Sequence, residues 1–221
     1  MVLAIRPAQA RDAAALAEIY APSVLHRPTS FELRAPDAAE MAARLAKVTT
    51  MWPWLVAEEG GEVLGYCYAG AFAEREAYRW SVTVSAYVRD GMHRRGIGRQ
   101  LYTVLFDLLR RQGAVSAFAG ITLPNEASVG LHRAMGFEPV GVYPRVGFKL
   151  GRWHDVGWYG LALRTPAADA AARTRAVAGT AGPHRAAGHA PRLTFGKSGR
   201  EALATIVHGV QGIGLARVER R

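Results

Sequence analysis

Val88-Arg89-Asp90-Gly91-Met92-His93-Arg94-Arg95-Gly96-Ile97-Gly98-Arg99-Gln100-Leu101 joins two segments of different periodicity. Upstream, Ser81-Val82-Thr83-Val84-Ser85-Ala86-Tyr87 is rich in β-branched residues and predicts a strand. Downstream, Leu101, Val104, Leu105, Leu108 and Leu109 predict a long helix, opened by Gly96 and ended before Gly113. The loop between them carries glycines and arginines. Glycine lets backbone N–H groups converge on an anion with no Cβ in the way. The helix N-terminus adds unpaired donors and the positive end of its dipole, and Arg94 and Arg95 add charge. Together these features suit a pyrophosphate. The glycine spacing is neither Gly-x-Gly-x-x-Gly nor a Walker loop ending in Gly-Lys-Ser/Thr. On its own, Gly-x-Gly at a strand–helix junction also fits an ordinary tight turn.

Working outward, residues 3–6 predict a short strand. A helix capped by Asp12 follows, with Leu16, Ile19 and Tyr20 on its apolar face, ended by Tyr20-Ala21-Pro22-Ser23. Thr29-Ser30-Phe31-Glu32 is extended or turn-like. Asp37 caps a second helix through Met41, Leu45 and Val48. Trp54–Glu58 and Val63–Ala71 predict a hairpin around Gly60-Gly61. Beyond the long helix come a strand over Ala117–Ile121, a helix over Ser128–Met135 stopped by Gly136, and strands at Val140–Tyr143 and Trp153–Leu163. The order β-α-α-β-β-β-α-β-α-β-β predicts a three-layer α/β fold. Residues 1–165 form this domain. Residues 166–221, dominated by Ala, Gly, Arg, Pro and Thr, read as a disordered tail with a short helix over Glu201–Val210.

The chain has 221 residues and half are apolar, enough for a substantial core. The net charge of +10 is uneven: residues 166–221 hold nine Lys/Arg and three Asp/Glu, a net +6. That tail has one aromatic residue, Phe195, and no nucleic-acid module, so nucleic acid is not expected as a partner. No apolar run approaches the roughly 20 residues needed to span a bilayer, and no membrane partner is expected. The N-terminus lacks the ordered regions of a signal peptide. The single cysteine, Cys67, sits in an apolar run and reads as a small buried hydrophobe. The reducing cytoplasm fits best.

The loop resembles the acetyl-CoA loop of GNAT acetyltransferases, Gln/Arg-x-x-Gly-x-Gly/Ala. Pro124-Asn125-Glu126-Ala127-Ser128 ahead of Leu131-His132-Arg133-Ala134-Met135-Gly136-Phe137 is similar to that family's next elements. Trp52-Pro53-Trp54-Leu55-Val56-Ala57, Arg75-Glu76-Ala77-Tyr78-Arg79-Trp80 and Val146–Gly157, with its Trp-His-Asp-Val-Gly run, resemble the phosphinothricin and arsinothricin N-acetyltransferases. Tyr20-Ala21-Pro22 and Ser30-Phe31-Glu32 are closest to the arsinothricin branch. The resemblance covers residues 3–163. It implies a GNAT fold with a mixed, mostly antiparallel sheet, acetyl-CoA as co-substrate, no metal, and a homodimer.

It also implies roles for particular residues. Ala86, Tyr87, Val88, Arg94, Arg95, Gly96, Ile97, Gly98, Arg99 and Asn125 are expected to hold the cofactor. Phe31, Arg75, Tyr78 and Lys149 are expected to hold the acceptor, a small amine. The implied reaction acetylates the α-amino group of a glutamate analogue such as phosphinothricin or arsinothricin. Another small amine, such as methionine sulfoximine, is the alternative, and an acetyl-CoA-binding module without turnover is a further one. Arg75 reads either as a cation for an acidic end of the acceptor or as a solvated loop arginine. A second basic residue of the family is Ala73 here, which Arg79 or Lys149 could replace. The amine must lose a proton before it attacks. The position of the family's basic carboxylate is Thr83, which is no base near neutral pH. His132 reads either as the acid for the leaving thiolate or as a packed helix-face histidine.

Overall fold

The computed structural model describes residues 3–165. The expected tail and its short helix lie outside the described residues. Seven strands form one sheet: β1 (Ala4–Pro7), β2 (Trp54–Glu59), β3 (Glu62–Ala71), β4 (Ser81–Val88), β5 (Ser116–Leu123), β6 (Glu138–Lys149) and β7 (Arg152–Ala162). Their order is β1-β2-β3-β4-β5-β7-β6. Every neighbouring pair is antiparallel except β4 and β5, which run parallel. A parallel pair needs a crossover, and α3 (Ile97–Gln112) supplies it. The remaining helices are α1 (Ala13–Leu25), α2 (Ala38–Thr49) and α4 (Glu126–Ala134). The sheet is mixed and mostly antiparallel, as the resemblance implied.

Strand alternation divides the core into two layers. On β2, Leu55 and Ala57 face the α3 side, while Trp54 and Val56 face α1 and α2. On the α3 side, Leu101, Leu105 and Leu109 stack at every fourth residue against Cys67, Ala69, Val82 and Val84. On β3 the parity breaks: Val63 and Tyr66 face one layer, Leu64 and Cys67 the other. A register shift at Ala57/Glu58 leaves Leu64 as the extra residue of a bulge. Cys67 is fully buried, and burial pushes its thiol pKa well up.

Three local expectations are corrected. First, α1 does not stop at Pro22 but runs through it to Leu25. Proline removes one N–H bond within the helix. The helix continues because Ser23 and Val24 are buried and the His26 N–H bonds the Pro22 carbonyl at 3.0 Å. Second, Asp12 does not cap α1. Its carboxylate turns back to the Gln9 N–H at 2.7 Å and takes a two-pronged contact from Arg6. Third, β6 is twelve residues long and passes through Pro139 and Pro144. An edge strand tolerates proline, and a register shift between Tyr143 and Gly147, with Arg145 at φ 49°, absorbs the irregularity.

Candidate active site

The β4–β5 ladder is short. It pairs Ser81 with Ser116, Val82 with Ala117 and Thr83 with Phe118, and then stops. β3 accompanies β4 as far as Val88, and β7 accompanies β5 as far as Leu123. The later parts of β4 and β5 therefore each have a partner on the outer side only, and a wedge opens between them. Arg89 donates its N–H to the Leu64 carbonyl and Phe72 donates to Ser81. These bonds mark the odd-numbered positions of β4 as those joined to β3. By antiparallel alternation, Val84, Ala86 and Val88 turn their N–H and C=O groups into the wedge. An extended amide-bearing ligand can bond there as a strand would.

The wedge continues into a cleft of about 780 Å³. Ala86, Tyr87, Val88, Arg94, Gly96, Ile97, Gly98, Arg99 and Asn125 all line it. The first turn of α3 points its unpaired N–H groups there, and Gly96, with no side chain, leaves them uncapped. Gly96 sits at φ 76°, with nothing within 4 Å of a built Cβ, so its requirement is conformational. Gly98 is needed for a different reason: a Cβ there would lie 3.0 Å from Leu131 Cδ2, beside α4. His93, three residues before Gly96, fills the leading position of the family loop pattern and also lines the cleft. Arg95 does not line it. Its guanidinium turns to Glu59 of β2 at 2.8 Å. Asn125 lines the cleft while its side chain accepts the Ser128 N–H at 3.1 Å as the cap of α4.

His132 also lines the cleft and is 5% exposed. Its Nδ1 lies 2.7 Å from the Ser128 carbonyl, and its Nε2 lies 3.1 Å from the Tyr102 hydroxyl. A carbonyl can only accept, so Nδ1 carries the proton and Nε2 takes the Tyr102 hydroxyl proton. Burial lowers the imidazole pKa, with the Ser128 bond opposing. The ring is therefore neutral, and the proton on its Nε2 side resides on Tyr102. Sequence reasoning missed Tyr102 because it lies within the apolar stripe of α3. It also missed Arg27, a cleft residue that grips Asp90 of the β4–α3 loop with 2.8 and 2.9 Å contacts.

Thr83 sits at the vertex of the wedge, in the last paired position of β4. It does not line the cleft, and its hydroxyl is 3.5 Å from the Gly70 carbonyl. Two residues on, Ser85 lines the cleft. Arg75 and Tyr78 lie on the exposed β3–β4 connection, where Tyr78 packs against Phe72. Phe31 is half-exposed over Gly147. None of these three lines the cleft. Lys149 is 4% exposed, and its ammonium donates to the Ser30 and Ser23 carbonyls. Its burial removes it from direct contact with a soluble anion. The nearby carboxylate Glu32 accepts two bonds from Arg44, at 2.7 and 2.8 Å, and one from Tyr20 at 2.9 Å. Burial pushes its pKa up, but Arg44 and Tyr20 outweigh that, so it lies below the usual carboxylate range. Glu74 is exposed.

A parallel pair that splays after three residues, with a helix N-terminus at its mouth, defines an acyl-CoA-type transferase site. Residues 5–158 match the acetyltransferase (GNAT) domain, and the chain belongs to that family. It is an enzyme, an N-acetyltransferase. The chain is 39% identical over 163 residues to phosphinothricin N-acetyltransferase of Streptomyces viridochromogenes, covering 74% of this chain and 89% of that protein. It is 37% identical over 167 residues to the L-methionine sulfoximine/L-methionine sulfone acetyltransferase of Salmonella typhimurium, covering 75% and 98%. A phosphinothricin acetyltransferase from Sinorhizobium meliloti, solved in complex with acetyl-CoA, superposes with a TM-score of 0.71 at 36% identity, covering 76% and 95%.

Proposed function

We propose that the protein acetylates the α-amino group of a glutamate analogue such as phosphinothricin or arsinothricin, with acetyl-CoA as donor. The wedge between β4 and β5, which leads to the N-terminus of α3, carries the donor half of this reading, and the likeness to phosphinothricin N-acetyltransferase supports the acceptor half. Acetyl-CoA supplies an activated acyl thioester. Val84, Ala86 and Val88 offer the unpaired amides that fit its amide-bearing arm. The α3 first turn and Arg94 suit its pyrophosphate. An N–H in the wedge suits the oxyanion that develops on attack, and Tyr102, hydrogen-bonded to His132 in the same cleft, is the candidate proton donor to the leaving thiolate. Arg75 is the acceptor-side cation, and Phe31 and Tyr78 are acceptor contacts that lie outside the cofactor cleft. Thr83 cannot take the ammonium proton, so the reaction draws on the free-amine fraction or on water at Ser85.

Methionine sulfoximine is the second acceptor, favoured by the relative acetylating that compound. With acetyl-CoA as donor, the reaction belongs in the cytoplasm. Val142, Phe148 and Trp153, exposed on β6 and β7, supply an apolar face for pairing two copies.

Thiol release should be measured with phosphinothricin, arsinothricin and methionine sulfoximine under one set of conditions. Turnover of at least one with acetyl-CoA is expected. Acetyl-CoA binding with no turnover of any of the three would overturn the acceptor assignment.

A further inference from the structure

The segment that follows α1 runs along the cleft and then turns away from it. Arg27 and Thr29 line the cleft. The next three residues are each pinned by a different contact. Ser30 is 8% exposed: its carbonyl accepts from Lys149, and its hydroxyl lies 2.6 Å from the Tyr20 hydroxyl. The Phe31 ring lies on Gly147 of β6, so closely that a Cβ there would overlap the ring. Glu32 is held by Arg44 of α2. Two of these pins come from the end of one strand.

Lys149 is unusual among them. It is a buried cation with no carboxylate in salt-bridge range among the described residues. A buried ammonium is costly unless hydrogen-bonded. Its acceptors are the Ser30 carbonyl and the Ser23 carbonyl, the latter 3.5 Å away in the last turn of α1. The last four carbonyls of a helix have no partner within it, and a cation there also meets the negative end of the dipole. Ser23 itself lines the cleft. One ammonium thus joins the exit of α1 to Ser30, the residue before Phe31, whose ring is itself seated on Gly147 of the same strand.

We propose that Lys149 is a positioning residue for the acceptor half of the site, fixing Ser30 through its carbonyl and thereby the acceptor-side ring of Phe31 that follows it. It touches neither substrate. β6 is an edge strand, and this brace together with the Gly147–Phe31 contact ties its end to the segment bearing Ser30 and Phe31. The proposal rests on the acceptor assignment above, but the tie itself is independent of which amine is used.

The test uses the full chain with Lys149→Met, which keeps length and removes the charge. The acceptor KM should rise at least about tenfold, the effect of losing a charged hydrogen bond, while the acetyl-CoA dissociation constant stays within about twofold. Amide hydrogen exchange over residues 26–33 should quicken, and exchange over α3 should not. Gly147→Ala displaces Phe31 by an independent route and should give the same split if Lys149→Met does not fold. Unchanged exchange over 26–33 in a folded Lys149→Met would overturn the brace. Equal effects on acceptor KM and acetyl-CoA affinity, or a Gly147→Ala enzyme with normal acceptor KM, would overturn the positioning role. If the wild type turns over none of the three amines, the acceptor assignment fails, and the exchange result still decides the brace.

Discussion

The Tyr102 hydroxyl donates to His132 Nε2 across 3.1 Å inside the protein, and the opposite ring nitrogen donates to Ser128. Tyr102→Phe leaves Nε2 without a donor. It should destabilise the fold by about 1–3 kcal/mol and slow turnover with little change in acceptor KM. Chemical denaturation and steady-state kinetics on the same preparation check both.

The same ring predicts a pH effect. Burial lowers the folded pKa of His132, so the unfolded chain binds its proton first as pH falls. Stability is therefore constant above the unfolded pKa of about 6.5 and declines from there down to the folded pKa. His132→Gln should remove this part of the decline. Melting temperatures of both proteins between about pH 8 and 5 measure it. Parallel curves over that range would contradict the assignment.

Gly96 and Gly98 should fail in different ways. Gly96→Val forces a β-branched residue to φ 76° at the mouth of α3. It should weaken acetyl-CoA binding at least tenfold, about 1.4 kcal/mol, in a protein that still folds. Gly98→Val drives atoms into Leu131 and should lower the melting temperature as well. Calorimetric titration beside thermal unfolding separates the two.

Arg94 and Arg95 are adjacent in sequence and opposed in direction. Arg94→Ala should weaken acetyl-CoA binding by roughly 10- to 150-fold, the range for a charged hydrogen bond. Arg95→Ala should change it by less than about threefold, because its partner is Glu59 at the surface and such pairs contribute little. Equal losses in the two variants would return Arg95 to the cofactor site.

Thr83→Glu tests proton removal at the wedge vertex. The wild-type rate should climb with pH as free amine accumulates. A carboxylate at this position should raise the neutral-pH rate and flatten the profile, since a positioned base contributes about 10²–10⁴-fold. A Thr83→Glu enzyme no faster than wild type near neutral pH would show that another group already takes the proton.

The long helix was legible because Leu101, Leu105 and Leu109 repeat at its period, and the cofactor loop because only glycine takes φ 76° at Gly96 without strain. What failed was direction. Nothing local distinguishes Arg94, which lines the cleft, from Arg95, whose partner Glu59 is 36 residues away. Lys149 carried the charge expected of an anion site, but a distant pair of carbonyls holds it. Tyr102 fits an apolar stripe, and only His132 of α4, 30 residues on, reveals that its hydroxyl is paired beside the cleft. Pro22 read as a stop because the sequence shows the missing N–H and not the burial of Ser23 and Val24 beyond it.

Three paired positions are all that join β4 to β5, so the sheet has a seam. On one side lie β1 to β4, on the other β5 to β7, each with longer ladders of its own. On the proposed reading, a donor in the wedge would bond along the seam as an additional strand and stitch the halves together. Donor binding is then a structural event for the whole molecule. It should raise the melting temperature in proportion to the logarithm of its concentration, and it should most strongly protect the amides of Val84, Ala86 and Val88 from exchange.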